Sequence, residues 1–236
     1  SGPILGKLLT FTIPLIFSGI LQLLFNAADV IVVGRFAGSQ SLAAVGSTTA
    51  LINLMINIFI GLSVGVNVIV ARYYGAKREK DVQDTIHTAM ALSIVSGLFL
   101  IIVGQLLSRP MLELMGTPDD VIDKSTIYMR IIFIGMPANM IYNFGSAILR
   151  AVGDTKRPLY FLTAAGVINV VLNLFFVIMF QMDVAGVALA TAISQAISAC
   201  LVILCLMESE GGLKLHLKDL KIHRSKFRQI IQVGLP

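Results

Sequence analysis

The amino-acid sequence predicts an all-α membrane protein, a bundle of six transmembrane helices, and three observations carry that expectation. Hydrophobic residues fill 56% of the 236 positions and charged residues only 13%, whereas a soluble domain has about 45–50% and about 25%. The apolar residues gather into six runs, each near or above the roughly 20 residues needed to cross a hydrocarbon core of about 30 Å. The charged residues fall almost entirely between those runs, so lipid is the expected solvent and membrane lipid the first expected partner.

The spans are expected at 8–33, 42–71, 86–107, 126–149, 159–180 and 184–207, which makes 1–207 one six-helix unit. The first follows Lys7 and carries Pro14, which removes one i to i−4 hydrogen bond and creates a place where the helix can bend. Residues 35–41 separate it from the second, where Gly61 and Gly65 form a GxxxG that favours close helix packing. Residues 72–85 lead to the third span and 108–125 to the fourth. After 150–158 comes the fifth span, joined to the sixth by the tight Gln181-Met182-Asp183 turn. Ala188, Ala192 and Ala196 give the sixth a small-residue face.

Counting Lys and Arg on alternate sides gives 14 on the side that holds both chain ends and 4 on the other. Positive residues are retained in the cytoplasm, so both ends are expected there and Asp29 in the outer half of the bilayer. The net charge of +5 therefore reports orientation rather than nucleic-acid binding, because no basic stripe interleaved with aromatics exists. Cys200 and Cys205 lie five apart in one span and point apart, so neither a disulfide nor a metal pair is expected. No secretory signal is seen, and the Ser1-Gly2 opening reads as a tag remnant or an excised segment. Residues 208–229 are polar and basic. Leu213, Leu217 and Leu220, spaced i, i+4 and i+7 with lysines between them, suit either an interfacial amphipathic helix or a solvated linker. At 230–236 the string IIQVGLP repeats the pattern of LLTFTIP at 8–14, so a second lobe is expected to start there, this chain being an N-terminal half whose partner is a C-terminal lobe.

Polar residues inside the spans are the candidate site. A charged side chain at a helix centre costs roughly 2.5–3.5 kcal/mol on insertion scales, so a retained one marks function by default. Gln22, Asn26 and Asp29 form one stripe on the first helix. Amide pairs at i, i+4 recur as Asn53 and Asn57, Asn139 and Asn143, and Asn169 and Asn173, while Thr191, Ser194, Gln195 and Ser198 cluster on the sixth helix. These stripes are expected to face a shared interior, lining a cavity or bonding across helices, the latter worth about 0.6 kcal/mol each on average. Enzyme chemistry is not indicated. Gly61-Leu62-Ser63-Val64-Gly65 matches GxSxG but sits within an apolar helix with no strand before it, and no GxxxxGK[ST] exists to bind ATP. His87, His216 and His223 lack metal-ligand spacing.

The segments NAADVIVVGRFAG (26–38), VARYYGAKREKD (70–81), LRAVGDTKRPLY (149–160), GVINVVLNLFFV (166–177) and VAGVALATAIS (184–194) resemble the multidrug and toxic compound extrusion (MATE) family, through essentially the whole chain. That resemblance implies one lobe of a twelve-helix transporter in the plasma (inner) membrane. It implies export of amphipathic, often cationic small molecules by alternating access, coupled to Na+ or H+, with no cofactor. It places a cation site on Asp29, Asn169, Asn173 and Thr191, which would be the metal ligands for Na+, and a hinge at Pro14. Asn173 stands where some relatives have a second carboxylate. An amide can ligate sodium through its carbonyl but takes up no proton near neutrality, so Asp29 is left as the titratable group. The alternatives are a lipid-linked precursor flippase of the same superfamily, which would need a more basic cavity, and a passive six-helix channel. The paired Asn-Pro-Ala strings of aquaporin-like channels are missing, Pro137-Ala138-Asn139 having the wrong order.

Overall fold

A computed structural model describes residues 4–235, all of its long elements helical. Ser1-Gly2 and Pro236, on which two of the expectations above rest, lie outside the described residues. Helix α1 spans Ile4–Val32 and closes in a wider turn, Val33–Ala37; α2 spans Ser39–Gly75 and α3 Glu79–Leu114. Then come α4 (Asp119–Ile134), α5 (Met136–Ala151), α6 (Lys156–Leu174, ending in the wide turn Phe175–Met179), α7 (Asp183–Met207) and α8 (Arg224–Gly234). Five of these helices are long and apolar enough to cross a membrane, and α4 with α5 makes a sixth span if the bent pair is taken as one.

The fourth span is thus broken where a single helix is expected, with α4 and α5 meeting at 47°. The cause is local. Pro137 in the first turn of α5 has no N–H to continue the ladder from α4. At the elbow, Gly135 lies so close to α7 that an added Cβ would stand 3.1 Å from Ala192 Cα. Opposite, a Cβ on Gly97 of α3 would come within 2.3 Å of Pro137 Cα, so the elbow is held between two backbones. Conversely, α1 runs through Pro14 without interruption, and Ser18 Oγ donates to the Pro14 carbonyl at 2.9 Å.

Packing is uneven. The core includes Phe133, Met136, Met140 and Phe144 of the α4–α5 elbow, all fully buried, and α5 packs against α2, α3 and α7. Helix α1 stands at the edge against α6, with Pro14 and Val32 its only buried described residues. Its contact is specific nonetheless. Phe25 lays its ring where Gly166 has no side chain, so that an added Cβ would fall 1.9 Å from Phe25 Cε2. The α6–α7 connection is made by left-handed Gln181 (φ 52°) and Asp183 (φ 55°), which turn the chain within three residues.

Of the two alternatives for Leu213, Leu217 and Leu220, the amphipathic helix is not formed. Two single 3-10 turns, Gly211–Leu213 and Leu217–Asp219, are separated by extended Lys214 and His216. Leu213 and Leu220 pack on the core while Leu217 points outward, so the three leucines share no face. The strand of chain is fixed instead by hydrogen bonds to α3. His216 N–H donates to His87 Nε2 at 3.1 Å, which leaves His87 Nδ1 as the donor to the Gln83 carbonyl at 2.8 Å. His223 N–H donates to Thr88 Oγ1 at 3.1 Å. After this, α8 begins at Arg224, ahead of the expected restart at 230, and packs along α2.

Candidate functional site

The spacing of polar residues on three helices converges at one place. Phe25 seated on Gly166 fixes the register of α1 on α6, and Asp29, one turn further along α1, then falls opposite Asn173, two turns beyond Gly166. Asn173 Nδ2 donates to Asp29 Oδ1 and also, at 3.2 Å, to Asn169 Oδ1. Asn169 Nδ2 donates to Thr191 Oγ1 at 3.3 Å, and that hydroxyl donates back to the Val187 carbonyl at 3.0 Å. The chain therefore joins α1, α6 and α7 through all four predicted cation-site residues.

The electrostatics of this cluster are one-sided. Asp29 is half-buried, Asn173 is fully buried and Asn169 is 5% exposed. No Lys or Arg appears in the hydrogen bonds of the four, so the carboxylate is solvated by neutral dipoles alone. The Asn173 Oδ1 atom is buried with no hydrogen-bond partner, an uncommon condition that costs roughly 1–3 kcal/mol unless something occupies the acceptor. The donor set is all oxygen (a carboxylate, two amide carbonyls and a hydroxyl), which suits a hard cation rather than a thiophilic or imidazole-seeking metal.

Asp29 opens onto a cavity of about 420 Å³. Gln22 and Asn26 of α1, Asn53 of α2, Asn139 and Asn143 of α5 and Gln195 of α7 line it, as expected from their stripes. Asn57 does not. It is exposed and lies outside the lining: the cavity stripe on α2 is centred on Thr49, Ile56 and Ile60 with Asn53 at its edge, and the further turn of about 40° from Asn53 to Asn57 leaves Asn57 beside the stripe. The sequence reading missed Tyr128 and Tyr142, whose rings line the same cavity. Among the described residues, Asp29 is the only charged one in the lining. A larger recess of about 840 Å³ shares no lining residue with this cavity and is bounded by Tyr74, Arg78, Arg157 and Glu210. Its arginines pair locally with Asp81 and Asp154, and it is an ordinary charged surface cleft.

Long apolar helices around a polar cavity mark the chain as part of an integral membrane protein. The chain belongs to the MatE family, whose sequence profile matches residues 14–175. It is 31% identical over 233 residues to the probable multidrug resistance protein YoeA of Bacillus subtilis strain 168, an alignment covering 96% of this chain and 50% of that protein. Two crystal structures, MATE in the bent conformation and MATE in the straight conformation, are 26% identical and superpose with TM-scores of 0.89 and 0.88, covering 98% of this chain and 51% of theirs. The chain thus spans about half the length of the relatives it matches. Family members are transporters, not enzymes.

Proposed function

We propose that this chain works as the first lobe of a two-lobe exporter of amphipathic, often cationic small molecules, driven by inward flow of Na+ or H+ through the Asp29 site. The observation that carries the reading is a carboxylate with no cationic partner, bridged to α6 and α7 by two amides, of which Asn173 leaves its buried Oδ1 without a hydrogen bond. A sodium ion entering the cluster would meet Asp29, the carbonyl oxygens of Asn169 and Asn173, and the Thr191 hydroxyl. Asn173 would have to turn its free Oδ1 inward, giving up the donation of Nδ2 to Asp29. A proton would instead neutralise Asp29 directly. Either event changes the bond that ties α1 to α6, and α1 is the helix with least packing to hold it otherwise.

Pro14 is the proposed hinge in that step, since its missing N–H leaves the turn before it one hydrogen bond short. The cation works only through differential affinity for the two arrangements of α1. Drug binding falls to the cavity, where amides and tyrosines offer hydrogen bonds and Asp29 offers the one attraction for a cationic centre. No Lys or Arg lines it to hold a pyrophosphate, which disfavours the flippase alternative. The orientation follows from the basic residues, with both described ends at the cytoplasm and Asp29 toward the outside.

The test is efflux of a lipophilic cationic dye from proteoliposomes holding the two-lobe protein, under separate sodium and pH gradients. Asp29→Asn is expected to abolish gradient-driven efflux while insertion is unchanged. Full gradient-driven efflux by that variant would overturn the reading.

A further inference from the structure

The turn between α5 and α6, at the centre of the LRAVGDTKRPLY segment, takes no part in the cavity or in the Asp29 cluster. It faces the first turns of α1 across a recess of about 690 Å³, lined by Lys7 and Phe11 on one side and by Gly153, Asp154, Thr155 and Lys156 on the other. Left-handed Gly153 (φ 88°) makes the turn, and the N–H groups of Gly153 and Asp154 donate back to the Arg150 and Leu149 carbonyls at 3.0 Å, closing α5. Two donors are then left over. Asp154 Oδ1 accepts the Arg157 N–H at 3.1 Å, whereas the N–H groups of Thr155 and Lys156, at the start of α6, have no acceptor among the described residues.

Thr155 adds a third donor. It is 3% exposed and lines the recess, yet its hydroxyl also has no hydrogen-bond partner among the described residues. Such a group is costly to bury unless something meets it. The charge around it is positive. Asp154 is occupied, with Oδ2 3.2 Å from Arg157 Nε and Oδ1 on the α6 backbone. Lys7 and Lys156 are exposed and enter none of the ion pairs among the described residues. Two ammonium groups, two backbone N–H groups at a helix start and a hydroxyl on one recess match the oxygens of a phosphate.

The surroundings say which phosphate. Phe11 lines the recess, and Leu5, Leu8 and Leu9 beside Lys7 are exposed, so acyl-chain surface lies directly next to the donors. The recess also lies at the end of the lobe that the basic residues place at the cytoplasm, where anionic lipid is concentrated. We infer that it binds the phosphate of an anionic phospholipid, with Lys7 and Lys156 on its charge and Thr155 with the α6 N–H groups on its oxygens. The lipid joins α1 to α6 ahead of Pro14, as Asp29 and Asn173 join them beyond it. The site is separate from the cation and drug chemistry and needs no movement of either helix.

The test is titration of the detergent-purified two-lobe protein with palmitoyl-oleoyl phosphatidylglycerol or phosphatidylcholine, bound lipid being counted by native mass spectrometry. One phosphatidylglycerol is expected to bind about tenfold or more tighter than phosphatidylcholine, the size that two lysines near a headgroup supply. Lys7→Met with Lys156→Met is expected to bring it to within about twofold of phosphatidylcholine, and the two arginine replacements to keep it. Thr155→Val, which preserves the shape of the side chain, is expected to weaken it about fivefold with both lysines present. Lys214→Met with Lys218→Met removes the same charge from the connector and is expected to leave binding at the parental level. Phosphatidylglycerol held no tighter than phosphatidylcholine would show that protein or water, not lipid, meets these donors, and the site would be wrong. Equal loss from the connector pair would reduce it to the general attraction of a basic face. Displacement of the lipid by millimolar inorganic phosphate would give the recess to a soluble anion and overturn the lipid assignment.

Discussion

Two carboxylates in this molecule sit next to buried polar groups, and they are treated in opposite ways. Asp81 holds two cations, Lys226 and Arg78, under an aromatic ring, at a crossing so tight that three glycines are needed to make it. Asp29 holds none. Its partners are an amide and, through that amide, another amide and a hydroxyl, and its helix is joined to the bundle chiefly through α6. A neutralised carboxylate closes a structure, whereas one surrounded by neutral dipoles is left able to receive charge. Buried charges are retained only when paired or when a ligand visits them. The lobe thus has one end built to stay and one built to change.

The most severe way to break that contrast is to show that the Asp29 end does not respond to a cation. Binding to the folded state alone stabilises by about 2.7 kcal/mol at a hundred times Kd. The coupling cation is therefore expected to raise the melting temperature of the purified chain on that scale, and to leave Asp29→Asn unmoved. Equal shifts in both proteins would erase the distinction. A smaller effect should come from Gly166→Val, which forces Phe25 away and pushes α1 off α6. Overpacking of this kind costs typically 1–3 kcal/mol, and the variant should also lose the cation-dependent part of its thermal shift, since Asp29 no longer meets Asn173. Retention of that part would mean that α1 register is not what assembles the site. Least is expected of Asn57→Ala. Outside the cavity and exposed, it should change stability by under about 0.5 kcal/mol and leave dye efflux at the parental rate. A loss of efflux there would extend the site beyond the cavity.

The site was far more legible in the sequence than the packing that positions it. Asp29, Asn169, Asn173 and Thr191 stand out because a polar side chain in an apolar run is rare and the i, i+4 spacing puts pairs on one face. Tyr128 and Tyr142 did not stand out, since a tyrosine in such a run reads equally well as core. The elbow at Gly135 was hidden by length, as 126–149 is the size of one span and nothing in a Gly-Met-Pro string says whether neighbours will support a straight helix or a broken one. Leucine periodicity misled in the connector, where Gly211-Gly212 and hydrogen bonds to α3 override an i, i+4 pattern of three residues. Gly61 and Gly65 announced a close helix crossing, but a small-residue groove does not name its occupant, and α8 lies well over a hundred residues downstream.

The left-handed turn at Gln181 and Asp183 has a consequence for biogenesis. A reversal that short makes α6 and α7 neighbours as soon as both are synthesised, with Asn169 and Thr191 facing each other across the pair. Asp29 leaves the ribosome 144 residues ahead of Asn173, so its helix must wait in lipid without its companions. Its place near the end of α1, beside the Arg35 boundary, keeps the nascent carboxylate within reach of water until the hairpin arrives.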